Sequence, residues 1–375
     1  MALTLSTLPP IYPAYSSNLI LNASSTGATT KTYYQFRTYI NSVLTDTFNY
    51  FADPITFDAT INLSTVLSTF FESAVYAVTG NTCMEFIPDS VIPYQVLVYV
   101  YDSGNTFVES GATPTLYMFN GCVNSEENFT MSDYLHLDTN AKFLTNWQTT
   151  REIRPDSYAY IQTLNGNYGS GYTSDFQGIV VRRYQADLST SAVTITGASA
   201  SVKAIINLDV SPNSLNVLFP NFIDSNTSYY TVESRFRPQN LITININTEN
   251  KLTKSYNFLY MNRLGGLDFF TAVKTSENNY KVTRNQLEQF VPKKTYYTQS
   301  QRTTSVQTQF LTAAQADGLK ELFTASAIKL WFNGKMNDVK IVNASVQVLD
   351  RYPKDKFIQY VIDFEYNYRN FNQQF

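Results

Sequence analysis

Histidine is almost missing: His136 stands alone in 375 residues. It is the only side chain whose unperturbed pKa lies near neutrality, so a chain this long with one copy has little material for general acid-base chemistry and none for a multi-histidine metal site. In Tyr134-Leu135-His136-Leu137-Asp138 the alternation places Tyr134, His136 and Asp138 on the polar face of a strand. No G-x-S-x-G elbow or similar signature supplies a nucleophile for that histidine. Cysteine is equally sparse, and Cys83 and Cys122 fit neither a zinc site nor a disulfide framework, so both are expected as buried free thiols. The acidic residues lack the spacing of a calcium loop. We therefore expect no catalytic, cofactor-binding or metal-ligating residues.

Charge is also scarce, at 15% of residues against roughly 25% in ordinary soluble domains, and the net charge is −3. That balance speaks against a nucleic-acid binder, which collects Lys and Arg on one face. The local basic excess from Lys274 to Arg302 is expected to be a solvated face. Long apolar runs are absent: Val91 to Tyr101 is interrupted by Pro93 and Gln95 and falls short of a membrane-spanning helix, so no membrane insertion is expected. The start, Met1 to Ser6, has no basic n-region and meets Pro9-Pro10 early, which reads as no secretory signal. Gly166 to Gly171 lacks the Lys-Ser/Thr of a phosphate-binding loop and reads as a flexible surface loop.

What the chain has in quantity is Tyr and Phe, 28 and 26 copies. Tyrosine joins a large apolar ring to a polar tip at little entropic cost, which suits wide, hydrogen-bonded contacts between proteins. Short β-type runs dominate, among them Tyr33 to Ile40, Tyr94 to Tyr101, Thr115 to Phe119, Ile179 to Tyr184, Val193 to Ile195, Val202 to Leu208 and Leu241 to Ile246. Gly, Asn and Ser clusters separate them, a pattern of β-sandwich modules in tandem. One helix interrupts the first module, where Asn62 caps Leu63, Val66, Leu67, Phe70 and Phe71 at helical spacing.

The C-terminal region has the clearest local grammar. After a strand from Thr304 to Phe310, Thr312-Ala313-Ala314-Gln315 forms a capping box and opens a helix with Ala316, Leu319, Leu322 and Phe323 on its apolar face. Asn333-Gly334 supplies a type I′ turn between the strand Ile328 to Phe332 and a return strand around Asp338 to Val342. A final strand alternates Ile358, Tyr360, Ile362, Phe364, Tyr366 and Tyr368 against a wetter face. The outline is β-α-β-β-β. The division that follows is an extended arm at 1–16, β-rich modules at 17–118 and 119–272, the β-α-β-β-β module at 273–369 and a tail at 370–375.

Three stretches, Tyr256 to Phe270 with its Asn262-Arg263-Leu264-Gly265-Gly266-Leu267-Asp268 turn, Leu319 to Phe332, and Asp350 to Tyr368, resemble virion structural proteins of tailed phages of Bacteroidota, including the crAss-like group. The resemblance covers the C-terminal third. It implies a tail-tube-like C-terminal module in a non-enzymatic subunit that forms a ring in the tail or head-tail connector. Its partners would be copies of itself and adjacent virion proteins, and it would be assembled in the host cytoplasm. Within the turn, Gly265-Gly266 should adopt positive φ and Asp268 should satisfy turn amides. Tyr12, Tyr15, Phe371 and Phe375 sit in ends with no core of their own and are expected to contact neighbours. A carbohydrate-binding or receptor-binding adhesin is the alternative.

Overall fold

The computed structural model describes residues 2–17, 19–29, 32–71, 83–123, 130–135, 142–147, 150–169, 172–174, 176, 178–196, 202–235, 237–246, 255–272, 276–287, 294–352, 355–366 and 370–372. It is mainly β, built from several separate sheets. No helix among these residues is long and apolar enough to cross a membrane.

In the first unit, a three-stranded sheet of Leu3–Leu5, Ile20–Ser25 and Asp58–Asn62 faces a larger one. The larger sheet runs in the order Ile11–Pro13, Leu116–Phe119, Val91–Tyr101, Tyr33–Ile40, Val43–Phe51, with Phe107–Ala112 also paired to Val91–Tyr101. Strict alternation builds it: Tyr34, Phe36, Thr38 and Ile40 are buried while Tyr33, Gln35, Arg37 and Tyr39 are half-exposed. The buried set meets Leu21, Ala23, Ala59 and Ile61 from the smaller sheet in one core. The expected first helix is short, an α-turn at Ser64–Leu67 continued by a 3-10 turn at Ser68–Phe70. Asn62 Oδ1 accepts from the Ser64 amide and hydroxyl, while the N-cap position falls on Leu63 rather than on the expected Asn62. Val66 and Leu67 are buried, but the helix ends too early to turn Phe70 inward.

The expected arm at 1–16 is laid down within the chain. Leu3–Leu5 pairs antiparallel with Ile20–Ser25, and Ile11–Pro13 pairs parallel with Leu116–Phe119. Ile11 and Ala14 are fully buried. Apolar residues interleaved with Pro9, Pro10 and Pro13 make this segment an edge strand rather than a free tail, since proline is tolerated where no ladder donor is needed.

The second unit places a five-stranded sheet, in the order Thr150–Ile153, Arg237–Ile246, Thr227–Ser234, Gly178–Gln185, Thr190–Thr196, over a four-stranded sheet of Thr173–Ser174, Tyr160–Asn167, Ala204–Asp209 and Met84–Phe86. Val181, Val232 and Ile244 meet Ile161, Ile206 and Leu208 between them. Met84–Phe86, upstream of the expected 118/119 division, belongs to this unit because its partner is Ala204–Asp209. Gly166 and Asn167 are part of a strand, paired with Ser174 and Thr173, rather than of the expected flexible loop, and residues 170–171 lie outside the described residues. A helix at Pro212–Leu218, entered from Ser211 with Pro at its first position, is an addition to the expected elements.

The third unit is built on one eight-stranded sheet in the order Leu267–Ala272, Tyr256–Met261, Ile328–Phe332, Lys335–Tyr352, Asp355–Tyr366, Lys294–Gln307, Ser276–Leu287, with Asn370–Asn372 on Lys294–Gln307. It reaches upstream of residue 273, because Tyr256–Met261 pairs with Ile328–Phe332. The capping box is formed: the Gln315 amide donates to Thr312 Oγ1, and Gln315 Oε1 accepts from the Thr312 amide, opening a helix at Ala313–Thr324. Asn333 and Gly334 carry φ of 51° and 74°, as a type I′ turn requires. Leu319 and Leu322 pack with Ile362 and Phe364, whereas Phe323 stays half-buried with its ring 5.1 Å from that of Tyr360.

Candidate functional site

Two places concentrate unusual side chains: the seam where the units meet and the outer face of the first unit's larger sheet. The seam is built by the Asn262 to Asp268 turn. Every residue of the flanking strands Tyr256–Met261 and Leu267–Ala272 is buried. Tyr256, Phe258 and Tyr260 face the helix-covered core of the third unit, while Leu259, Leu267 and Phe269 face the core of the second. The hairpin is a wall shared by two cores.

The turn itself is held by side chains. Asn262 Nδ2 donates to Leu144 O and to Asp268 Oδ2, both at 2.8 Å, and its Oδ1 accepts from the Gly266 amide at 3.0 Å. Only Gly265 has positive φ, 76°; an added Cβ would lie 1.4 Å from Asn120 O. Gly266 is required for a different reason, since a Cβ there would lie 1.9 Å from Leu144 O. Asp268, expected to take turn amides, instead binds side chains. Its Oδ1 accepts from Arg151 Nη2 at 2.7 Å and from Thr145 Oγ1 at 2.6 Å. Arg151 and Asp268 are both 2% exposed, and the guanidinium lies 4.7 Å over the Phe269 ring. Such a buried pair depends on its hydrogen bonds to offset the loss of hydration. Glu321 on the helix completes the seam, accepting from Asn146 Nδ2 at 2.9 Å and from the Arg263 amide at 3.2 Å. Its carboxyl is raised above the usual range by burial, with the Asn146 bond acting the other way.

The seam is a rivet in which the Asp268 carboxylate is held by Thr145, Arg151 and Asn262, and that of Glu321 by Asn146 and the Arg263 amide. His136 and Asp138 lie outside the described residues, and Tyr134 is buried in a 3-10 turn at Met131–Tyr134 rather than on a strand's polar face. Among the described residues no three His, Cys, Asp or Glu side chains are grouped to hold a metal. Cys83 is a buried free thiol, pushed up to about 12 by burial, and Cys122 is free but only half-buried.

The second place is on the surface. Cross-strand register lines up Phe51, Tyr33, Tyr101 and Phe107 in one row on the outer face of the first unit's larger sheet. Tyr33 and Tyr101 are stacked at 4.9 Å, with Phe51 and Phe107 edge-on at either end. The next row carries Asn49, Gln35 and Tyr99, and the one after it Thr47, Arg37 and Leu97. Arg37, the one charge in these rows, lies 4.5 Å over the Tyr99 ring and donates to Gln35 Oε1. Phe51 is 75% exposed and Phe107 54%. Val43–Phe51 ends the sheet, and among the described residues no strand pairs with its outer edge.

Of the residues singled out for assembly, Tyr12 is half-buried against the core of the first unit. Tyr15 is 39% exposed, its hydroxyl donating to Ser68 O at 2.9 Å. Phe371 lies on a strand opposite Gln299, and Phe375 lies outside the described residues. The outer row was signalled in the sequence by strands with aromatics on both alternating faces, such as Tyr33-Tyr34 and Tyr99 to Tyr101. No protein-family model matches this chain, and no curated protein matches it either.

Proposed function

We propose that this protein is a non-enzymatic structural subunit of a bacteriophage particle, assembled as a ring of identical copies in the tail or the head-tail connector. The observation that carries this reading is the outer face of the first unit's larger sheet, where four aromatic rings stand in a row and the two end phenylalanines lie open to water. Phenylalanine has no polar tip, so its exposure on an ordered strand is explained by a second surface that covers it. The surrounding Tyr, Gln and Asn residues suit the wet, hydrogen-bonded contacts that join subunits, and the single Arg37 keeps charge repulsion low. A ring needs this face to meet a different face of the next copy. The riveted seam supports the same reading, because a ring transmits load only if its units hold their relative positions. The resemblance of the C-terminal third to virion proteins of tailed phages supplies the biological setting.

Mass photometry and size-exclusion chromatography of the full chain test the reading. The expected result is one discrete oligomer, converted to monomer by Phe51→Ser with Phe107→Ser at an unchanged melting temperature. A wild-type monomer at micromolar concentration, or an oligomer indifferent to the double substitution, would overturn it.

A further inference from the structure

A groove lies at the contact between the Arg154 to Tyr158 turn, the Pro212–Leu218 helix and the strand Ile328–Phe332. It has two compartments, of about 120 and 530 Å³, which share Asp156 and Asn213 as a common wall. The larger falls within the usual size of small-ligand sites. Two aromatic rings stand in the smaller compartment: Trp331 and Tyr158, 4.8 Å apart and nearly perpendicular at 87°. The indole N–H donates to Asp156 O at 3.1 Å, which fixes the ring beside the turn. The floor of the larger compartment is apolar, with Pro155, Pro212, Ile223 and Ile246.

The polar side chains divide into two groups. Asp224 is occupied by Arg183 at 3.1 Å, and Asn216 is bonded to both the N–H and the carbonyl of Ile223. The Asp156 carboxylate and the Asn213 amide are exposed and have no partner among the described residues. A planar carboxylate and a planar amide facing one space offer paired acceptors and donors, the pattern that binds vicinal hydroxyl groups. Aromatic rings and an apolar floor suit the C–H face of a sugar, which packs against the electron-rich face of a ring. The two carboxylates disfavour an anionic ligand.

We infer that this groove is a binding site for a neutral saccharide, with Trp331 and Tyr158 as the packing wall and Asp156 and Asn213 as the hydroxyl-binding groups. The site does not depend on ring formation. It would let the assembled particle hold a glycan while remaining a structural part.

Only two tryptophans are present, and Trp147 is 7% exposed, so a ligand-induced change in fluorescence reports on Trp331. The full chain is titrated with cellohexaose, xylohexaose, maltohexaose and chitohexaose. At least one is expected to shift the emission, with the shift lost in Trp331→Phe. Asp156→Asn and Asn213→Ala, both on the surface, should each weaken binding by about tenfold or more. Mass photometry on the same samples should show an unchanged oligomeric state, which separates failure of this site from failure of the ring. No emission change with any of the four sugars up to about 10 mM, or binding that is indifferent to both polar substitutions, would overturn the assignment.

Discussion

The hairpin of Tyr256–Met261 and Leu267–Ala272 and the outer face of the first unit's larger sheet use similar residues for opposite ends. Both set aromatic rings across neighbouring strands. In the hairpin every residue is buried, because one face serves the second unit's core and the other the third's. On the first unit's larger sheet the opposing layer covers one side only, so Phe51, Tyr33, Tyr101 and Phe107 meet water. Aromatic content therefore does not locate the core of this protein. Whether a second layer lies over a face decides, and that is a property of topology.

The contrast can be broken most severely at the turn. Gly265→Ala places a methyl group against the Asn120 carbonyl at positive φ, and we expect no soluble folded protein; a cooperative melt near that of wild type would show that the seam yields. Next in size is Asp268→Ala, which leaves Arg151 charged, buried and unpaired, at a cost of about 3–5 kcal/mol. Chemical denaturation measures it, and a loss below about 1 kcal/mol would mean that water reaches the guanidinium.

Leu322→Ala empties a fully buried site and should cost about 2–5 kcal/mol. Phe323→Ala should cost less than Leu322→Ala, despite removing more atoms, because its ring is half-exposed. The reverse order would place the helix differently on its sheet.

Titration has a smaller effect. Burial raises the Asp209 carboxyl, against hydrogen bonds from Ser211 and Ser214, and burial likewise raises Glu321. A carboxyl raised in the folded state binds its proton more tightly there than in the unfolded chain. Stability should therefore increase as pH falls from neutral through the raised values toward about 4. Asp53 acts in the opposite sense, held low by the Thr56 and Ile55 amides, and its contribution is lost at still lower pH. Denaturation midpoints across pH should show the rise, and Asp209→Asn should flatten it. Smallest of all, Phe51→Ser on the open face should change stability by no more than about 0.5 kcal/mol. A larger loss would mean that the ring is part of the fold.

Much of the fold was legible where a residue pattern answers to one local cause. Composition marked Tyr33 to Ile40 as a β-type run, Thr312 and Gln315 marked a helix start, and Asn333-Gly334 marked a hairpin. Where burial comes from two partners at once, the period is lost. Tyr256 to Met261 shows no alternation because both faces are buried, so its membership of the third unit's sheet was hidden. Parallel pairing of Ile11–Pro13 with Leu116–Phe119 left no local sign either, since several strands lie between them in sequence. The Gly265-Gly266 pair was visible as a special turn, but its partners Asn120 and Leu144 are distant in sequence. The exposed aromatic row needed the register of four strands.

The close fit of Gly265 on Asn120 also governs the order of assembly during synthesis. The Cys122 amide donates to Arg263 O, and Phe119 and Val123 are buried in one cluster with Leu264. When residues 120–123 leave the ribosome, those partners have not been made. At about 5–20 residues per second, the first unit waits for several seconds or more with that seam uncovered. A nascent chain stalled before residue 263 should therefore present a sticky edge to chaperones that a chain long enough for residue 272 to have left the ribosome has closed.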